Sequence, residues 1–216
     1  MNVTMTDIKK LREMTGAGLS DCKKALAESD DMDGAVAYLR KKGQAVAAKR
    51  SDREAAEGCV LVKVADGFGA IIALKCETDF VANTADFVAL TQQILDAAVA
   101  NKCKSLEEVN ALPMGDGTVA DAVTARSGIT GEKMELDGYS YIEGDNICTY
   151  NHMNRNGLCA MVAFNAPVEA EVGKNVAMQV ASAAPVAIDE TGVPQAVKDN
   201  EIAVAIDKTK AEQIQK

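Results

Sequence analysis

The sequence predicts an α+β fold: an N-terminal bundle of three helices (residues 1–50), two α+β subdomains with antiparallel sheets (58–132 and 133–190), and a C-terminal helical arm (191–216). Three observations predict it. Before residue 50, apolar residues recur at helical spacing between polar caps and glycine stops. From residue 58 the pattern switches to short apolar runs broken by Asp-Gly and Asn-rich turns, each followed by a return to helical stripes. The composition agrees, with 48% apolar residues, only 4% aromatic residues and no Trp. A core of Ala, Val, Ile, Leu and Met suits helices with some β-structure better than an all-β sandwich.

Each element has its own signal. Thr6 can cap a first helix with Ile8 and Leu11 on one face, stopped by Thr15-Gly16-Ala17-Gly18. Ser20 can cap a second helix through Cys22, Ala25 and Leu26. Asp31 or Asp33 can cap a third through Val36, Ala37 and Leu39, with Gly43 as its expected stop. Residues 51–57 read as a linker, the end of a charged, Ala-rich stretch that begins at residue 44. Cys59–Ala65 and Phe68–Cys76 read as strands joined by an Asp66-Gly67 hairpin turn. Phe87, Leu90, Ile94, Leu95 and Ala98 stripe a helix from Thr84 to Ala100, and shorter helices are expected near 105–112 and 118–127. Strand segments follow at 134–136, 139–142, 147–150 and 158–164, with turns at Asp137-Gly138, 143–146 and 154–157. A helix over 169–183 stopped by Pro185, and a polar helix from Pro194 to Lys216, complete the reading. The order sheet-then-helix occurs twice, over 58–100 and 133–184, which suggests two related subdomains.

The net charge is −9. Nucleic-acid affinity rests on neutralising phosphates with Lys and Arg, so an acidic chain without a basic stripe fits a protein partner better, and no nucleic acid is expected. The six cysteines, at 22, 59, 76, 103, 148 and 159, include no CxxC pair, and His152 is the one histidine. That pattern favours neither a zinc site nor a disulfide framework. The first ten residues carry no apolar run with a cleavage site, and no stretch approaches the ~20 apolar residues of a bilayer span. A cytoplasmic location without membrane contact is the expectation.

No catalytic constellation emerges. A cysteine hydrolase would need His152 as its base, and His152 sits at a strand end, where a surface residue at a turn is the simpler reading. Gly16-Ala17-Gly18 follows a helix and lacks the Gly-Lys-Ser/Thr of a phosphate loop. Glu77, Asp79 and Asp86 are spaced neither for a metal loop nor for a glycosidase pair. One segment stands apart. The second strand ends at Cys76 and leads into Glu77-Thr78-Asp79-Phe80-Val81, which sets a charge and a large apolar ring side by side at a sheet edge. Two readings are open. Phe80 turns inward as core while Thr78 or Asp79 caps a short helix, or Asp79 and Phe80 are presented outward together.

The run Ile8–Leu26, with its Thr-Gly-Ala-Gly and Asp-Cys-Lys-Lys-Ala-Leu, resembles the opening signature of the elongation factor Ts family. Cys76–Asn83 resembles that family's second signature, Cys-Glu-Thr-Asp-Phe-Val-Ala-x, and Gly131-Glu132, Tyr150-x-His152 and Met178-x-Val180-Ala181 match as well. The resemblance spans the whole chain. It implies a ubiquitin-associated-like domain over residues 1–50 that docks on the GTPase domain of elongation factor Tu, followed by a core of an N- and a C-subdomain. It implies a nucleotide exchange factor, which is not an enzyme, uses no cofactor or metal and touches no nucleotide. Thr78, Asp79, Phe80 and Val81 would disturb the partner's magnesium site and so release GDP. Leu11, Arg12, Gly131, Tyr150 and His152 would add further partner contacts. The family continues through a coiled-coil hairpin and back into the C-subdomain. This chain ends in what resembles the first arm, so an incomplete C-subdomain is expected, and self-association through the arm is left open. The competing reading, from the first unit alone, is a helical protein-binding module of ubiquitin-associated type without exchange activity.

Overall fold

The computed structural model describes residues 3–214. Two compact units result, Met1–Ala181 and Ser182–Lys216. The larger begins with helices α1 (Met5–Thr15), α2 (Leu19–Ala27) and α3 (Met32–Lys49). Ile8, Leu11, Cys22, Ala25, Leu26 and Ala35 close a small core between them. Thr4, and not Thr6, caps α1. Thr4 Oγ1 accepts the Asp7 N–H and Asp7 accepts the Thr4 N–H, both at 3.2 Å. Thr6 has Lys9 three residues on and cannot form that reciprocal box. Helix α2 starts on Gly18 with no side-chain cap, which leaves Ser20 inside the first turn. Asp31 caps α3, accepting the Gly34 N–H at 2.7 Å.

Gly43 does not stop α3. It faces Gly128 of α7 (Val119–Thr130), so closely that a Cβ on Gly128 would fall on the Gly43 Cα. The absent side chains let two helix backbones meet, and α3 runs on to Lys49.

Strands β1 (Glu57–Ala65) and β2 (Phe68–Cys76) pair antiparallel through Asp66-Gly67, whose φ angles of 48° and 72° fit a two-residue turn matched to strand twist. Phe68, Ala70, Ile72, Leu74 and Cys76 alternate onto one face and are fully buried. They pack with Phe87, Ile94, Leu95 and Ala98 of α5 (Ala85–Ala100), which is capped by Thr84 and preceded by the one-turn α4 (Asp79–Ala82). Leu90, expected in the stripe, lies at its half-buried margin. Helix α6 (Leu106–Ala111) leads to a small hairpin, β3 (Pro113–Met114) with β4 (Gly117–Thr118), which precedes α7. Strands of two residues leave no periodicity in the sequence, and this hairpin was not anticipated.

Strand β5 (Met134–Glu143) pairs with β2 and completes a sheet in the order β1-β2-β5. The two strand segments expected at 134–136 and 139–142 are one strand. The turn expected at Asp137-Gly138 is a bulge: Leu74 pairs with Leu136 and Ala73 with Gly138, which leaves Asp137 as the extra residue. Gly138 fits there because a Cβ would meet that of Ala73 at 2.9 Å. The strand assigned from sequence to the second subdomain thus joins the first sheet. Its pairing is set by the Met134/Leu136 face that meets the α5 side of the core.

Strands β6 (Asn146–Asn151) and β7 (Cys159–Phe164) form a separate ribbon, with Ile147 and Met161 over Gly69 on the other face of the sheet. The Val60 N–H donates to the Asn156 carbonyl at 2.6 Å, tying β1 to the loop of that ribbon. Helix α8 (Ala170–Ala183) lays Gly173 on Cys148. In the smaller unit, Asp189 caps a single turn and α9 (Gln195–Ile214) follows. The expected end of that helix at Lys216 lies outside the described residues. Among the described residues no helix is long and apolar enough to cross a membrane.

Candidate functional site

The strand exit at Cys76 carries the segment singled out from sequence. Thr78 caps α4, its Oγ1 accepting the Val81 N–H at 3.4 Å. Val81 is half-buried against the core and Ala82 is buried. On a single turn those two positions take the inner face, and Asp79 and Phe80 take the outer one. Phe80 exposes 83% of its surface, and Asp79 beside it is exposed. The two readings left open by the sequence therefore divide: Thr78 is a cap, and Phe80 is not core.

Two glutamates hold this segment. Glu132 accepts the Thr78 hydroxyl at 2.7 Å, the Thr78 N–H at 3.1 Å and the Glu77 N–H at 3.2 Å. Glu77 turns the other way and accepts Arg50 at 2.9 and 3.1 Å, Arg53 at 3.0 Å and the Lys133 N–H at 2.6 Å. Burial pushes the Glu77 carboxyl up, but the Lys133 N–H and the two guanidinium groups together outweigh it and hold the group below its ordinary value. Burial, reinforced by the charge of Glu132, pushes the Cys76 thiol up to about 11. It is a protonated packing group that donates to the Thr78 carbonyl at 3.2 Å. Neither glutamate was assigned a role from sequence. Their partners lie 24 to 56 residues away, beyond the reach of local pattern. The one available signal was the Gly131-Glu132 match.

Gly131 ends α7 in the left-handed region at φ 76°, and this reversal turns Glu132 back toward Thr78. Leu11 is fully buried in the bundle, so the contact expected of it is corrected: on the Ile8 face of α1 it serves the core. Arg12, next to it, is exposed. Tyr150 Oη lies 2.9 Å from His152 Nδ1, with the rings tilted by 56°. His152 is exposed at the start of a 3-10 turn, and its N–H donates to the Leu158 carbonyl at 2.9 Å. The structure thus brings Thr78 to the Gly131-Glu132 corner and Tyr150 to His152, on separate elements. The ring partner of His152 is a phenol, and burial pushes Cys159 up to about 11, so the arrangement does not form the thiolate–imidazole pair of a cysteine hydrolase. Among the described residues, no three His, Cys, Asp or Glu side chains gather as a metal site needs.

The family model described as Elongation factor TS matches residues 77–216, more than half of the chain. Elongation factor Ts of Bacteroides fragilis is 70% identical across 100% of this chain, and that of Bacteroides thetaiotaomicron 67% identical across 100%. The chain spans 66% of the length of both relatives. Elongation factor Ts of Porphyromonas gingivalis is 53% identical over 96% of this chain and 76% of its own length. With these matches, and with the second signature mounted intact at the exit of β2, the chain belongs to the elongation factor Ts family.

Proposed function

We propose that the chain serves translation elongation as a guanine nucleotide exchange factor for elongation factor Tu, acting in the cytoplasm, and that it is not an enzyme. The observation that carries this reading is the outward Phe80 beside Asp79 on a one-turn helix. A large ring held in water at 83% exposure is mounted for a partner's pocket. Phe80 would wedge between partner elements that hold magnesium, and Asp79 would act there through its charge. Thr78 and Val81 would fix the pair from either side. No contact with GDP is needed. A factor that binds the nucleotide-free partner more tightly than the GDP-bound one weakens GDP by the same ratio.

In this reading residues 1–50 dock on the GTPase domain, 51–57 link them to a core of 58–132 and 133–190, and Arg12, Gly131, Tyr150 and His152 add contacts. Ile202, Val204 and Ile206 are exposed on α9, which supports self-association through the arm 191–216.

The test is release of labelled GDP from its complex with elongation factor Tu. The chain should speed release. Phe80→Ala should raise the half-saturating concentration roughly 30- to 1,000-fold, corresponding to about 2–4 kcal/mol of lost binding. Asp79→Ala should lower the saturating rate. Equal release by Phe80→Ala at every concentration would exclude the wedge. A second reading is favoured by the exposed Met5, Met14 and Leu19 of the bundle: a helical binding module of ubiquitin-associated type without exchange activity. Under it Phe80→Ala is silent and Met14→Asp abolishes binding.

A further inference from the structure

We infer that Glu132 is the positioning residue of the Asp79–Phe80 segment: its carboxylate, collecting three donors from Glu77 and Thr78, sets the direction in which Phe80 points before any partner arrives. The functional consequence rests on the exchange reading, while the structural claim stands without it.

Helix α4 has four residues and cannot hold its own direction, because a single turn fixes several dihedrals for very few hydrogen bonds. Something outside it must aim the ring. Val81 and Ala82 anchor its inner face, and at its C-terminal end the Asn83 N–H donates to the Asp79 carbonyl and the Thr84 N–H and hydroxyl donate to the Val81 carbonyl. The constraint on its other end enters at the N-terminus. The Thr78 hydroxyl accepts the Val81 N–H and donates to Glu132, so one oxygen joins the helix to a side chain 54 residues away. The Glu77 and Thr78 N–H groups converge on the other carboxylate oxygen. Glu132 is itself fixed: the Ser127 hydroxyl donates to its carbonyl at 2.5 Å, and its N–H donates to Thr130 Oγ1 at 3.2 Å. The two strands of chain also exchange carboxylates. Glu132 takes the N–H groups of 77 and 78, and Glu77 takes the N–H of Lys133. This is the logic of a capping box, drawn across two segments remote in sequence. Charge-assisted bonds of this kind are the stronger ones. A ring aimed in advance avoids part of the ordering cost of binding.

The chain has no Trp, so Phe80→Trp supplies a single reporter at the site. Time-resolved fluorescence anisotropy of the free chain then reads its local rotation without any partner. In Phe80→Trp alone, the exposed ring turns about its own side-chain bonds, and that local component sets the baseline. Adding Glu132→Ala should enlarge the local component as α4 itself moves. Adding Glu132→Gln should restore the baseline, because its amide oxygen still accepts both N–H groups and its nitrogen can donate to Thr78. Should Glu132→Ala fail to fold by circular dichroism, Glu132→Asp, one methylene shorter and so withdrawn from Thr78 while the Thr78 cap is kept, carries the same expectation. A folded variant with unchanged anisotropy overturns the positioning role. With Phe80 restored, Glu132→Ala should raise the half-saturating concentration for GDP release, and Glu132→Gln should bring it back. If the parent chain does not speed GDP release but Glu132→Ala still loosens the reporter, the positioning role stands and the exchange reading falls.

Discussion

Glu77 and Asp79 lie two residues apart and meet opposite surroundings. The Glu77 side chain is only 13% exposed and is ringed by Arg50, Arg53 and the Lys133 N–H, while Asp79 faces water. Sequence alone could not separate them, because what distinguishes them is supplied by the exit of α3 and the start of β5. The difference has a pH signature. The folded Glu77 carboxyl sits below its ordinary value, so its contribution is present at neutral pH, above the unfolded value, and is lost as pH falls through the folded one. Glu77→Gln should therefore lower stability by about 1.5–3 kcal/mol at pH 7, the range for hydrogen bonds to a charged group. The gap from the parent chain should narrow as pH drops below about 4. Urea midpoints at a series of pH values check this, and a gap that stays constant would show that the charge is not what matters. Leu11 teaches the reverse lesson. Its helical spacing with Ile8 already marked it as core, the family signature suggested a contact, and the spacing was right.

At the scale of elements, the Asp66-Gly67 turn and the Asp31 cap do what their residue types suggest, whereas Thr6 and Ser20, equally good cap residues, lie inside α1 and α2. Glycine was misread twice. Gly43 looked like a helix stop and is a crossing point, and Gly138 looked like a turn and lies beside a bulge. A missing Cβ permits a left-handed φ or a close neighbour, and only the neighbouring element decides between them. The crossing of α3 and α7 makes the distinction measurable. Gly128→Ala would place a methyl on the Gly43 backbone, so the two helices must separate, at about 1–3 kcal/mol. Gly157→Ala is the control: its φ is not positive and nothing lies within 4 Å of an added Cβ, so it should be near neutral. Chemical denaturation of the two variants side by side decides the matter, and equal midpoints would contradict the close packing.

At the scale of the molecule, the sequence showed a bundle followed by sheet-and-helix regions but not how their parts are shared. The bundle leans on the core through Gly43 and Gly128, and β5 serves the sheet of the strands that precede it. Long-range pairing of this kind leaves no trace in periodicity. The signature over Cys76–Asn83 singles out Phe80 in the sequence, while Glu132 lies 54 residues from Thr78 and nothing local ties the two together. The exposure of Phe80 also has a consequence for the behaviour of this chain in solution. An uncovered ring is an adhesive spot, as are the exposed Met5 and Met14 of α1, and a net charge of −9 opposes the approach of further copies of the chain. Salt screens that repulsion within about 8 Å at physiological strength, and acidification removes it. Light scattering should therefore rise with salt and with falling pH, and Phe80→Ser should delay its onset, whereas coincident curves would clear the ring of blame. The colloidal stability of the chain thus sets its surface charge against its exposed apolar groups, with Phe80 among the largest of them.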